Sequence, residues 1–204
     1  MGNRKRKKGT VWICLGIMML LAALLLGAFN MREDFEAGQS TREVIDSLKE
    51  ELPDAQEDEK VRIPEYLLDP DREMPVKRIN GQDYIGVLTI PSLDLELPII
   101  SEWSYPRLRI SPCRYSGSVY RDDMILLAHN YAAHFGKLKN LRPGDEVLFT
   151  DMENHTFTYE VVETEILMPK AVEEMESGDW DLTLFTCTPG GRSRVTVRCV
   201  RVGE

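Results

Sequence analysis

A thiol, an imidazole and a guanidinium stand where apolar runs of this chain give way to loops. Cys187 ends the run Thr183-Leu184-Phe185-Thr186-Cys187. The turn Thr188-Pro189-Gly190-Gly191 follows, and a β-branched run opened by Arg194 comes next. A thiol at the end of one strand and a guanidinium at the start of the next, joined by a tight turn, lie close in almost any fold. The thiolate is the nucleophile, and it needs nearby positive charge to exist or act at neutral pH. An arginine stays charged and offers several donors to an oxyanion. His129 directly follows the apolar run Met124-Ile125-Leu126-Leu127-Ala128. Loops held by a rigid scaffold often carry catalytic groups. Cys187, His129 and Arg194 are therefore the candidate parts of a thiol acyl-transfer site.

Each has a plainer reading. A cysteine in an apolar strand is usually a packed, inert thiol. Arg192 lies in the turn, and Arg198 shares a strand face with Arg194 and Thr196, opposite Val195, Val197 and Cys199. All three arginines could line a solvated face. His134 is five residues beyond His129, which does not put both on one helical face. No CxxC or HExxH pattern accompanies them, so neither a metal nor another cofactor is expected. His155 falls at an expected hairpin tip and reads as solvated.

The elements that must position these groups read as strands. Tyr84-Ile85-Gly86-Val87-Leu88-Thr89-Ile90 is β-branched and apolar. Leu93, Leu95 and Leu97 alternate with acids, a half-buried strand that Pro98 is expected to stop. Residues 107–112 are ambiguous. Residues 124–128 form an apolar central strand. Residues 146–150 and 156–166 read as a hairpin with its tip at Asp151-Met152-Glu153-Asn154. Residues 171–176 fit one helical turn, and 181–187 and 194–202 are the last strands. About eight short strands with little helix predict an all-β domain over 81–204, a closed or nearly closed barrel, with a sandwich as the alternative.

The N-terminal part differs. Residues 1–9 are a basic tail containing Arg4, Lys5, Arg6, Lys7 and Lys8, and residues 10–29 carry no charge. That length spans a bilayer core as a helix, and the basic flank favours a cytoplasmic N-terminus with the rest outside. A cleaved secretory signal is the rival, but no good small-x-small site precedes the first charges. Residues 30–80 read as a stalk. Thr41 could cap a short helix bearing Val44, Ile45 and Leu48 on one face, ended by Pro53. Residues 54–60 are mostly acidic and residues 64–75 are proline-spaced and polar.

Five of the 25 basic residues precede the span, leaving 20 beyond it against all 34 acids, a balance of −14. That argues against a nucleic-acid partner. Cys113, Cys187 and Cys199 lie beyond the span, an odd number. Either Cys113 and Cys199 pair and leave Cys187 free, or all three are unpaired thiols. A thiol oxidoreductase is disfavoured by the missing CxxC.

Taken in order, these segments resemble the sortases, membrane-anchored cysteine transpeptidases of Gram-positive bacteria. Thr183-Leu184-Phe185-Thr186-Cys187 is similar to the family's TLxTC motif at every fixed position. Leu127-Ala128-His129-Asn130 resembles the segment around its histidine, and Arg194 matches the arginine opening its last strand. Tyr84 to Pro91, Leu97-Pro98-Ile99, and His134-Phe135-Gly136-Lys137-Leu138 through Pro143-Gly144-Asp145 resemble further segments. The resemblance covers about 81–202. It implies a closed eight-stranded β-barrel with short helical turns, preceded by a transmembrane helix and stalk. It implies that Cys187 attacks a carbonyl of an LPXTG-like sorting signal, with His129 as acid and base and Arg194 on the substrate or oxyanion. Thr186 would help orient the substrate. The implied partners are surface proteins bearing sorting signals and a cell-wall or protein amine as acceptor, at a single-pass cell membrane with the catalytic domain outside.

Against that family, only about twelve residues separate Pro169 from Asp181, which leaves no room for a long helical insertion. Asp69-Pro70 lacks a following aromatic, so no aromatic lid is expected, and Glu173, Glu174 and Glu176 read as a solvated turn. A housekeeping or class D-like member is favoured over a pilin polymerase. A cell-surface cysteine protease that only hydrolyses, and a non-catalytic tethered binding barrel, are the alternatives.

Overall fold

The computed structural model describes residues 3–51 and 63–203, with side chains from Thr10 to Lys49 in the first helix. Pro53, residues 54–60 and the side chains of the basic tail lie outside the described residues. The chain forms two compact units, Met1–Glu36 and Ala37–Glu204. One helix, α1 (Asn3–Glu51), runs through the boundary. In the first unit its apolar side chains, including Trp12, Leu24, Leu25 and Phe29, are exposed. This stretch is long and apolar enough to cross a membrane.

The second unit is built on nine strands: β1 (Lys77–Ile79), β2 (Gln82–Ile90), β3 (Leu95–Ile100), β4 (Cys113–Ser116), β5 (Met124–Ala128), β6 (Glu146–Asp151), β7 (Thr156–Leu167), β8 (Leu182–Cys187) and β9 (Arg194–Arg201). They pair in the order β1-β2-β3-β4-β5-β8-β9-β7-β6, and β6 returns to β2. Eight strands thus close a barrel, and β1 extends β2 as a short hairpin outside the circuit. Closure removes the exposed edges that an open sheet would leave. Gly86 sits at the closing seam beside a bulge between Tyr84 and Gly86. A Cβ there would collide with the Thr150 carbonyl and the Phe149 ring of β6, so the seam needs glycine.

The interior is apolar. Leu88, Leu97, Leu126, Phe149, Tyr159, Leu184 and Val197 meet in one cluster, each contributed by the inward-facing alternate of its strand. Cys199 lies in this cluster, and Cys113 in a second one under α1. The possible Cys113–Cys199 pairing is not made, and all four cysteines are free thiols.

Pro98 does not stop β3. It lies inside the strand opposite Val87. The Ile100 amide donates toward Pro112 on the β4 side, and Pro98 has the same parity. Its missing N–H therefore falls where β4 has not yet begun to pair, since β3 and β4 meet only at Ile100 and Cys113. Residues 105–108 form a helical turn, α3 (Tyr105–Leu108), capped by the Ser104 hydroxyl accepting from the Arg107 amide.

Thr41 is not a cap, because α1 is already helical before it. Within the second unit Ala37, Thr41, Val44, Ile45 and Leu48 are buried, and their spacing makes one helical face. Val44 and Leu48 pack with Tyr84, Ile100, Leu108 and Cys113. Gly38 permits close approach, since a Cβ there would lie 3.3 Å from that of Ala133. The proline-spaced segment is also ordered. After α2 (Glu65–Leu68), Tyr66 stacks on Tyr120 with centroids 5.0 Å apart, and Met74 enters the core.

The hairpin tip is a hydrogen-bonded cap and not a solvated loop. Buried Asp151 accepts from the Glu153 and His155 amides at 2.8 and 2.9 Å through Oδ1, and from the Tyr120 hydroxyl at 2.7 Å through Oδ2. The His155 ring lies 3.1 Å from Asp151 and edges onto Tyr66.

Candidate active site

Register decides which side chains meet. β5 and β8 run parallel with Ala128 opposite Thr186. β8 and β9 run antiparallel with Cys187 opposite Arg194. One residue beyond the β5–β8 pairing, His129 comes level with Cys187. Side chains alternate along each strand. Ala128, Leu184 and Val195 point into the barrel, so His129, Cys187 and Arg194 lie on its outer face, in one row across three adjacent strands. Ile125 and Phe185 continue that face along β5 and β8.

All three line a groove of about 300 Å³. Its floor is Leu127, Ala128, Phe185 and Thr186. One wall is Met168, Val172 and Met175, and the other is Trp103, Tyr105, Leu108 and Tyr115. The groove is mostly apolar, with the polar row at one end. Such a shape leaves an open apolar channel that ends at the thiol.

The turn between thiol and guanidinium is closed by the Thr188 amide donating to the Ser193 carbonyl at 3.0 Å. Gly190 and Gly191 have φ of 83° and 70°, the left-handed region that glycine enters without strain. Arg194 Nη1 donates to the Gly191 and Ser193 carbonyls at 3.3 and 3.2 Å. Arg194 lines the groove, whereas Arg192 is exposed on the turn and does not. The Thr186 side chain points inward. Its hydroxyl donates to the Ala128 carbonyl at 2.8 Å, tying the end of β8 to the residue before His129.

Arg198 does not belong to a solvated face. It is 2% exposed. Nε donates to Glu165 at 2.8 Å, Nη1 to the Met175 carbonyl at 2.8 Å and to Thr183 at 3.0 Å, and Nη2 to the Glu174 carbonyl. Arg198 thus pins α4 (Val172–Glu176), one groove wall, onto β8 and β9.

His134 is wholly buried, with Nε2 3.5 Å from the Thr41 hydroxyl on α1. Tyr131 stands between it and the groove histidine, with ring centroids 5.6 Å from His134 and 5.1 Å from His129. Sequence reasoning missed this run of tilted ring contacts, and it missed the aromatic wall. The signal for the wall was present in Trp103-Ser104-Tyr105-Pro106, since a loop that exposes two aromatics marks a recognition surface.

The thiols differ by environment. Burial pushes both Cys113 and Cys199 up to about 12; Arg107 and a Ser104 backbone hydrogen bond oppose this at Cys113. Cys187 is half-buried at the groove end, beside Arg194.

The profile of the Sortase domain family matches residues 88–203, more than half of the chain. The chain belongs to the sortase family. It is 28% identical over 131 residues to Sortase A of Listeria monocytogenes, covering 59% of this chain and 55% of that protein. The chain therefore spans about half the length of this curated relative. Among solved structures, the Clostridium perfringens Sortase D5 transpeptidase superposes with a TM-score of 0.57 at 19% identity, over 82% of this chain and 98% of that one. Sortase C1 from Streptococcus suis gives 0.51 at 27% identity, over 59% and 74%. The closed eight-stranded barrel expected from the sequence is the sortase fold.

Proposed function

We propose that this chain is a cysteine transpeptidase that cleaves an LPXTG-like sorting signal and joins the acyl half to an amine. The observation that carries the reading is the single row of His129, Cys187 and Arg194 at one end of an apolar groove. Cys187 is the nucleophile. Its thiolate adds to the scissile carbonyl, and Arg194 and its turn neighbours stabilise the oxyanion or hold the substrate. His129 gives a proton to the departing amine as the C–N bond breaks, leaving a thioester. An incoming amine then attacks the thioester. His129 takes its proton, the C–S bond breaks, and the Cys187 thiolate is restored beside a protonated His129.

The acceptor is a cell-wall or protein amine, and the substrates are surface proteins carrying sorting signals. Residues 10–29 hold the enzyme in the cell membrane, with the basic tail inside and the barrel outside; this rests on the apolar helix and the charge asymmetry. Residues 30–80 connect anchor and barrel, and the part from Ala37 belongs to the barrel's own compact unit. The connection before β8, which holds only the short helix α4, and the brief turn after it favour a housekeeping or class D-like member.

The test is cleavage of a sorting-signal peptide by the detergent-solubilised chain, with and without an amine such as triglycine. Ligated product that rises with amine concentration is expected. Product partitioning that ignores the amine would make the chain a protease. Cys187→Ala and His129→Ala should lose activity by about a thousandfold or more, as removal of a nucleophile or its base does. Arg194→Ala should fall on the order of a hundredfold, while Arg192→Ala keeps activity. An inactive Arg192→Ala beside an active Arg194→Ala would reverse the arginine assignment.

A further inference from the structure

Beyond the aromatic wall of the groove lies a second hollow, of about 450 Å³. Trp103 and Tyr115 line both spaces. Their rings stack with centroids 6.2 Å apart and 28° between planes, so the pair is a partition that an extended chain can cross. Three arginines line the hollow, Arg72, Arg114 and Arg121. Their hydrogen bonds leave an uneven surplus of donors. Arg114 gives Nε to the Ser101 carbonyl at 2.9 Å and Nη1 to the Gly117 carbonyl at 3.4 Å. Its Nη2 has no acceptor among the described residues. Arg121 gives Nε to Asp123 at 3.2 Å, and its two terminal nitrogens have none. Arg72 is committed to Glu153 through both terminal nitrogens. Two acids also border the hollow: Glu102, turned toward Arg107 at 3.4 Å, and exposed Glu73.

Register sets the distance from the thiol. Arg114 pairs with Leu126, and Ser116 with Ile125, across β4 and β5. Tyr115 therefore sits level with residues three to four before His129. At about 3.3 Å per residue that is roughly 10–13 Å. The acyl half of a substrate must stay in the groove while the thioester lasts, whereas the other half leaves. A peptide lying back along the groove from Cys187 would bring the residues just before a four-residue acyl motif to the partition.

We propose that this hollow is an extended subsite for acidic residues immediately preceding the sorting motif, with Arg114 and Arg121 supplying donors to a carboxylate. A planar guanidinium matches a carboxylate in two-pronged geometry. The inference rests on the proposed transpeptidase reading.

The test uses the full chain in detergent and three peptides, Leu-Pro-x-Thr-Gly preceded by two aspartates, two asparagines or two lysines. Both kcat/KM and anisotropy of the same peptides bound to Cys187→Ala are read. The aspartate peptide should exceed the asparagine one about fivefold at low salt, and the lysine peptide should fall below it. The difference should shrink as salt rises. Arg121→Gln should bring the aspartate-to-asparagine ratio toward one, and Arg121→Glu should turn the preference toward lysine. Arg121 is exposed, so neither change threatens the fold. Cleavage of all three peptides at equal rates overturns the subsite, as does an unchanged ratio in Arg121→Glu. Absence of cleavage with intact aspartate-dependent binding instead overturns the thioester reading and leaves the subsite standing. Absence of both overturns both.

Discussion

Cys187 and the two buried barrel thiols are chemically the same group in different surroundings. Cys113 and Cys199 are enclosed by apolar side chains that disfavour a thiolate. With the Cys113 thiol pushed up to about 12, less than about one part in a thousand is ionised at pH 8. Iodoacetamide at pH 8 should therefore label Cys187 ahead of Cys113 and Cys199, which are modified only on unfolding. Peptide mapping by mass spectrometry reads this, and equal labelling of Cys113 would contradict its burial. The same burial has a stability consequence. The folded state holds protons on Cys113, Cys199 and Tyr84 to about pH 12, whereas the unfolded thiols release theirs near 9 and the tyrosine near 10. A raised folded value means that the contribution is complete below pH 9 and is lost as pH climbs from 9 to 12. Denaturant midpoints should be level from pH 7 to 8.5 on account of these groups and fall progressively above 9.

Elements turn those residues into a site by holding walls around them. α4 has five residues, too few to be stable by itself. Arg198 anchors it through two backbone carbonyls, with Thr183 and Glu165 completing the set. The charge is buried, and the geometry is that of a strut, not of a catalytic group. Arg198→Ala should destabilise the fold by about 3 kcal/mol, since it strips a buried network of its centre. Its kinetic signature should be a raised KM with kcat largely kept, because Met175 and Val172 leave the groove while the row at its end stays in place. A loss confined to kcat would contradict this assignment. On the opposite wall, Leu108 lines the groove and also packs against Val44 and Leu48 of α1. The helix that reads as part of a stalk thus supports the groove from behind.

At the scale of the whole molecule, barrel closure is the step that brings distant segments together. β2 and β6 are about sixty residues apart, and their seam runs over Gly86. Gly86→Ala must push β6 away or break the β2–β6 pairing. A loss of about 2–4 kcal/mol is expected, read as a lowered Tm and early hydrogen exchange at residues 148–151. An unchanged Tm would mean that the seam yields freely.

Local pattern carried much of this architecture. The strands β5, β6, β7, β8 and β9 stand within a residue or two of their expected bounds, because period-two alternation and turn residues are local signals. The outward parity of Arg194 and Cys187 follows from the same alternation. The motif around Cys187, with its ordered histidine and arginine, carried the family. Other features depended on partners far along the chain. Pro98 stays in β3 because β4 has not begun where its N–H is missing. Arg198 is buried because α4 folds over it, although its neighbours in sequence suggest a solvated face. The docking face of α1, the seating of Tyr66 and Met74, the Asp151 cap and the arginine-lined hollow all need surfaces assembled from several segments. Sequence by itself determined which groups could react and which strands would carry them. Tertiary structure decided what surrounds them, because burial and groove shape are properties of the closed barrel and not of any one segment.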